Sequence, residues 1–374
     1  MSRSDLSPEP VSPRLPARYL PAACLVAVAL AAGAAAAAAG RDPVAPSPEY
    51  WAYVCSESED VVSLLRFGVG GLELVREIPV GTFPSEIEAP HGIAVEPGGR
   101  HWFVSMAHGR PFGSVHKYEA GSDLWLAEVE VGMFPASMDV AASTGLLYVA
   151  NFDLHGDPEP STVSVVETGT MLEVARIESG VMPHGARLDP RGRHLYTVSM
   201  AAGELLEIDA LRFEVVRRLP LAHGPAAAEV RPTWVTPPSP AGRVYVAGNG
   251  SDTVYEVDVS AWQIERRFAG AGRGPYNVAV ASPRLLVVTY KRSGEVGFWS
   301  LDSGLEVTRS ATSRRIPHGV ATTGDGRLAW VTAEGIGEEP GTVEVYDLGS
   351  FARVAAIDVG KQAGGIALWR PTRR

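Results

Sequence analysis

The sequence predicts an all-β chain, a seven-bladed β-propeller with four antiparallel strands per blade. Three observations point there. One phrase recurs seven times, with anchors at Pro90, Pro135, Pro183, Pro232, Pro275, Pro317 and Ala363, spaced by 42 to 49 residues. Each copy reads as strands and turns only, and strand-only repeats of this length build radial propellers. The two ends are complementary fragments of the seventh copy, so the C-terminal inner strand joins the N-terminal blade and closes the ring.

Taken in order, residues 1–40 carry Arg3, Arg14 and Arg18 and then an uncharged, alanine-rich run from Tyr19 to Ala39. That pattern reads as an export signal, cleaved near Ala37–Ala39 or retained as a membrane anchor. Cys24 sits near the start of the apolar run rather than at its end, which argues against a lipoprotein signal. Residues 41–49 form a Pro-rich spacer. Residues 50–374 form the propeller.

The propeller opens with Trp51–Val54, Val61–Phe67 and Leu72–Ile78, a second, third and fourth strand with no first strand before them. The repeat then runs in full copies. In the second, Met138–Val140 is the inner strand, followed by Leu147–Asn151, Thr162–Val166 and Leu172–Ile177. These segments alternate apolar and polar positions and are rich in β-branched and aromatic residues. Turns such as Glu167-Thr168-Gly169 and Asp302-Ser303-Gly304 supply hairpin geometry. In the fourth copy both Pro225 and Pro232 fit the anchor, and spacing favours Pro232. The last segment, Gly364–Trp369, is an inner strand with nothing after it, and it supplies the strand missing at the start. Such closure removes free edges. Trp51, Trp102, Trp330 and Trp369 fall within repeat strands and read as packing between blades.

The motifs Tyr148-Val149-Ala150-Asn151, Thr162-Val163-Ser164-Val165 and Val288-Thr289-Tyr290 resemble the family of secreted seven-bladed propellers with a YVTN repeat. The resemblance covers nearly everything from residue 50 onward. It implies the fold and no particular reaction.

The chain carries 33 basic and 43 acidic residues, a net charge of −10, which argues against a nucleic-acid partner. Its two cysteines, Cys24 and Cys55, leave no internal disulfide once a signal is removed. No Cys-x-x-Cys-His occurs, so a covalent c-type haem is excluded. No Walker motif, nucleophile elbow or zinc-protease helix is present.

Histidine placement carries the functional reading. Strand directions put six of the nine histidines on one face, the top. His91, His184 and His318 stand in identical Pro-His-Gly motifs at the starts of inner strands. They belong to the first, third and sixth blades, about 100°, 150° and 100° apart around the axis. His108, His155 and His223 fall in other loops of that face. Imidazole is a common ligand for Zn, Cu and Fe, and three around an open position make a familiar metal arrangement. The same slot can equally serve structure, each histidine bonding a neighbouring blade's backbone and each glycine admitting close strands. Tyr276 occupies that slot in the fifth blade and is a candidate cofactor contact. Met106, Met200 and Cys55 are softer candidates. Glu86, Glu88, Glu334, Glu338 and Glu339 could orient imidazoles.

The Pro-His-Gly motif is also similar to a ligand motif of the nitrous oxide reductase propeller, whose top histidines hold a copper–sulfide centre. By that resemblance His91, His184 and His318 match ligand positions. The chain departs from it in lacking a cupredoxin domain, a cysteine-rich copper motif and paired adjacent histidines. Haem d1 propellers, with histidines near the channel, are a related likeness. The expectation is a periplasmic or secreted propeller that binds a metal, copper foremost, or a metallo-cofactor. Two alternatives stand beside it: a scaffold gripping a small-molecule or protein ligand with its top face, and a lactonase-like hydrolase.

Overall fold

A computed structural model describes residues 48–371 apart from 84, 110–111, 156–158 and 271. The expected leader (1–40) and most of the spacer (41–49) lie outside the described residues. Among the described residues, no helix is long and apolar enough to cross a membrane.

Seven four-stranded antiparallel sheets form the ring. The inner strands are Pro90–Val95, Pro135–Ala141, Pro183–Leu188, Pro232–Val235, Pro275–Ser282, Ile316–Thr322 and Ala363–Trp369. Pro232 is therefore the fourth anchor. Ring closure follows the expected path, with Ala363–Trp369 pairing antiparallel to Tyr50–Ser56 in a sheet completed by Val61–Gly68 and Gly71–Pro79. One feature departs from the strand-only reading: a single-turn helix, Ala226–Val230, precedes the fourth inner strand.

Position within a blade explains the burial. Second strands such as Leu146–Asn151 and Leu328–Glu334 are buried almost throughout, because each face meets a neighbouring blade. Outermost strands such as Glu214–Pro220 alternate between exposed and half-buried positions, since only one face packs. Aromatic rings fill the seams. Tyr53 stacks on Trp102 at 4.9 Å between centroids, Trp102 on Tyr118 at 4.1 Å, and Trp51 meets Trp369 edge-on at 5.7 Å. Trp102 and Trp330 are fully buried. Three blades repeat one polar clasp, in which a tyrosine hydroxyl and an arginine converge on a buried glutamate: Tyr196–Glu207–Arg217, Tyr245–Glu256–Arg266 and Tyr346–Glu344–Arg353.

Candidate functional site at the channel mouth

Every inner strand has the same irregularity. Directly after its anchor the pairing with the second strand shifts register, as between Pro90 and Ile93, Pro183 and Ala186, and Pro317 and Val320. The second, fourth, fifth and closing blades shift likewise. Such a bulge kinks the strand and re-aims the side chain it contains. In three blades that side chain is a histidine. The glycine that follows is a steric requirement. A Cβ at Gly92 would lie 2.6 Å from the Ala136 carbonyl oxygen, one at Gly185 2.7 Å from Trp234 Cα, and one at Gly319 2.8 Å from the Gly364 oxygen. The N–H groups freed by the bulge find hydroxyls. Gly92 N–H donates to Ser105 Oγ at 2.8 Å, and Gly319 N–H to Thr332 Oγ1 at 2.8 Å.

The three rings are buried, at 7%, 2% and 4% exposure for His91, His184 and His318, and they come together. The His91 centroid lies 6.2 Å from that of His184 and 5.6 Å from that of His318, each pair nearly perpendicular. Wide separation around the ring therefore does not keep the side chains apart, because each reaches inward across the mouth.

Their outer nitrogens differ in an informative way. His91 Nδ1 meets Glu57 Oε2 at 2.9 Å. Burial would raise the Glu57 carboxyl, but His91, with His108 and Lys291, outweighs it and holds the group below its ordinary value. An ionised carboxylate only accepts, so the proton sits on His91 Nδ1. His184 Nδ1 lies 2.7 Å from the Thr233 carbonyl and donates to it. Nε2 of that ring is then an acceptor, and the Tyr276 hydroxyl donates to it at 3.2 Å. Burial, then the neighbouring His91, pulls His184 down to about 3, so it stays neutral. His318 is held well below its ordinary value by burial and then Lys291. Its Nδ1 is buried without a hydrogen-bond partner, and its Nε2 lies 3.9 Å from Glu334 Oε1, beyond bonding range.

Tyr276 links the rings. Its centroid stands 4.6 Å from His318 and 5.7 Å from His184. Burial pushes its phenol up to about 12, with Lys291 pulling the other way. Lys291 Nζ lies 4.4 Å above the Tyr276 ring and pairs with Glu334 Oε1 at 2.8 Å. Phe134 and Phe152 wall the cluster, 5.2 Å from His91 and 4.9 Å from His184 respectively.

The other expected residues divide. His108 joins the periphery, with Nε2 3.8 Å from Glu57 Oε1 and its ring 5.4 Å from that of His155. His155 packs on Phe134 at 5.3 Å. His223 is exposed in the loop before the short helix, and among the described residues no hydrogen bond, ion pair or ring contact ties it to the cluster. Cys55 donates its thiol to the Gly92 carbonyl at 3.9 Å, and burial raises it far above its usual value. Met106 lies in the hydrophobic core beside Trp102, and Met200 packs beside Phe134. Of the carboxylates, Glu334 reaches the site through Lys291, while Glu88 braces its own loop at Thr82 and Phe83. Glu338 pairs with Lys361 and Glu339 accepts from Ile336 N–H. Glu57 is the carboxylate sequence reasoning missed. Its place in the acidic turn Ser56-Glu57-Ser58-Glu59-Asp60 looks solvated. Packing of the N-terminal blade against the next blade brings that turn to His91.

Among the described residues, no three His, Cys, Asp or Glu side chains already stand as a metal-ion set. The two His91 pairs, at 6.2 and 5.6 Å, stand wider than the ligands of one ion. With metal–nitrogen bonds of about 2 Å, tetrahedral imidazole ligands have ring centroids about 5 Å apart.

No known family model matches the chain, and no curated protein matches it. Solved structures do. The chain is similar to a hydrazine synthase chain from Kuenenia stuttgartiensis at 18% identity and TM-score 0.61, covering 76% of this chain and 92% of that one. A functionally unknown protein from Desulfotomaculum acetoxidans aligns at 13% identity and TM-score 0.67, over 86% and 99%. Dihydro-heme d1 dehydrogenase NirN, solved in complex with DHE, aligns at 15% identity and TM-score 0.58, over 85% and 74%. At these identities the likeness is one of fold.

Proposed function

We propose that this propeller acts outside the cytoplasm and binds a transition metal, copper foremost, at the mouth of its channel through His91, His184 and His318. One observation carries the reading. Two of the three imidazoles already have Nδ1 held by an outer acceptor, Glu57 for His91 and the Thr233 carbonyl for His184. That is the support metal-ligating histidines ordinarily have, and it fixes the tautomer that leaves Nε2 free to ligate. The third ring has a buried Nδ1 with no partner, an orphan that a fully satisfied structural histidine would not show.

The chain's own groups define the surroundings. Tyr276 caps His184 Nε2 and must swing away for that nitrogen to ligate. Lys291 adds one positive charge at the edge of the cluster, balanced by Glu334. Phe134 and Phe152 exclude water from one side. A bound copper would supply one-electron redox capacity and Lewis acidity at this point.

The test is elemental analysis of protein purified without a histidine tag, alongside H91A, H184A and H318A. About one copper, zinc or iron per chain in the parent, and loss in the variants with the fold retained, supports the reading. A metal-free parent, still empty after incubation with copper and zinc, rejects it and leaves the recognition scaffold.

A further inference from the structure

Beneath the histidines lies a second polar feature that the metal reading does not use. A cavity in the axial channel is lined by residues of all seven inner strands, with His91 and His318 at its upper end and Arg187 and Asn277 on its wall. It admits the centre of a water-sized body over about 20 Å³, so an occupant of one to three heavy atoms fits.

Arg187 is half-buried, its guanidinium lies 4.6 Å over the Trp234 ring, and among the described residues it makes no ion pair. Its hydrogen bonds come from Nη1 alone, to the carbonyls of Ala186 at 2.6 Å and Met138 at 3.4 Å. Asp139 lies within electrostatic reach, but its oxygens are taken by the N–H groups of Val140 and Leu188, each at 2.9 Å. Asn277 is 3% exposed, its Oδ1 has no partner, and no hydrogen bond from its side-chain amide is found among the described residues. His318 Nδ1 is the other orphan on this wall. Buried polar groups are seldom left unpaired, and two on one small cavity, beside an arginine whose other nitrogens make no hydrogen bond among the described residues, call for one occupant. Arg187 offers donors only, the Asn277 amide can turn a donor inward, and an imidazole such as His318 can donate from Nδ1.

We propose that this cavity binds a small monovalent anion, of the size of chloride or formate, held by Arg187, Asn277 and His318. The site shares the His318 ring with the metal position but uses its other nitrogen. Its consequence for the metal rests on the preceding reading: the anion would serve His318 as Glu57 serves His91 and the Thr233 carbonyl serves His184, placing the proton on Nδ1 and freeing Nε2.

The test uses metal-stripped full-length protein in chloride-free buffer at constant ionic strength set with sulfate, too large for the cavity. Chloride and formate are titrated separately, with thermal unfolding and Trp fluorescence as readouts. The expected result is a saturable rise in melting temperature with each. Binding weakens at least tenfold in R187M, and likewise in N277D, which keeps the side chain's size but adds a like charge. H184N, which touches the metal position and not this cavity, keeps the anion response while losing metal, so failure of one site is distinguished from failure of the other. No saturable response to either anion in the parent protein overturns the proposal, as does a response unchanged in folded R187M and N277D.

Discussion

Replacing Gly185 with alanine is the sharpest structural perturbation of the site. The added Cβ would meet Trp234 Cα at 2.7 Å, the Thr233 oxygen at 2.9 Å and Val235 N at 3.1 Å. All three are backbone atoms of the next blade's inner strand, so no side chain can rotate away and the strands must separate. Overpacking of this kind costs about 1–3 kcal/mol, and a backbone clash belongs in the upper half of that range. With an unfolding entropy of about 2.1 cal/mol/K per residue over roughly 320 residues, a loss of about 2–3 kcal/mol lowers the melting temperature by about 3–4.5 °C. The same shift moves Thr233, whose carbonyl orients His184, so metal affinity falls with stability. Thermal unfolding of metal-free G185A and of G70A, where a Cβ meets nothing within 4 Å, makes the comparison. Equal melting temperatures for the two variants would refute the close-approach argument for Pro-His-Gly.

Three further outcomes follow from the geometry. Glu57→Gln keeps the shape but weakens the acceptor on His91 Nδ1, and metal affinity should drop about 10–100-fold by competition titration while the protein stays folded. Tyr276→Phe removes the donor that competes for His184 Nε2, so metal affinity should rise about fivefold, the equivalent of one hydrogen bond of about 1 kcal/mol; a fall would make the tyrosine a ligand instead. Metal-free protein should lose stability in acid. His184 protonates near 6.5 when unfolded but only near 3 when folded, so below pH 6.5 the unfolded chain binds the extra proton and folding weakens. At pH 5 this amounts to about 2 kcal/mol. Urea unfolding of H184N should be less sensitive between pH 7.5 and 5 by that amount, and equal sensitivity would contradict a buried neutral His184.

The architecture was legible because it depends on counting. Seven anchors and two complementary ends specify seven sheets without any knowledge of side-chain geometry. The top-face placement of Pro-His-Gly was legible for the same reason, since strand direction alternates. The meeting of the three rings was not. It rests on a one-residue register shift in every inner strand, and register depends on hydrogen-bonded pairing that one strand's residues do not reveal. Glu57 was hidden because packing between consecutive blades, rather than local sequence, brings it to His91. Arg187 and Asn277 read as ordinary inner-strand positions, and only the axial cavity shows both lining one space. The helix at Ala226–Val230 escaped notice because five residues carry too little periodicity to register.

The convergence of three imidazoles on one metal is tested most directly by X-ray absorption of the copper-loaded, tag-free protein. The account predicts one copper per chain with two to three imidazole nitrogens at about 2 Å, falling by one in H184A. A spectrum showing oxygen ligands without imidazole scattering, or one unchanged in H184A, would contradict it.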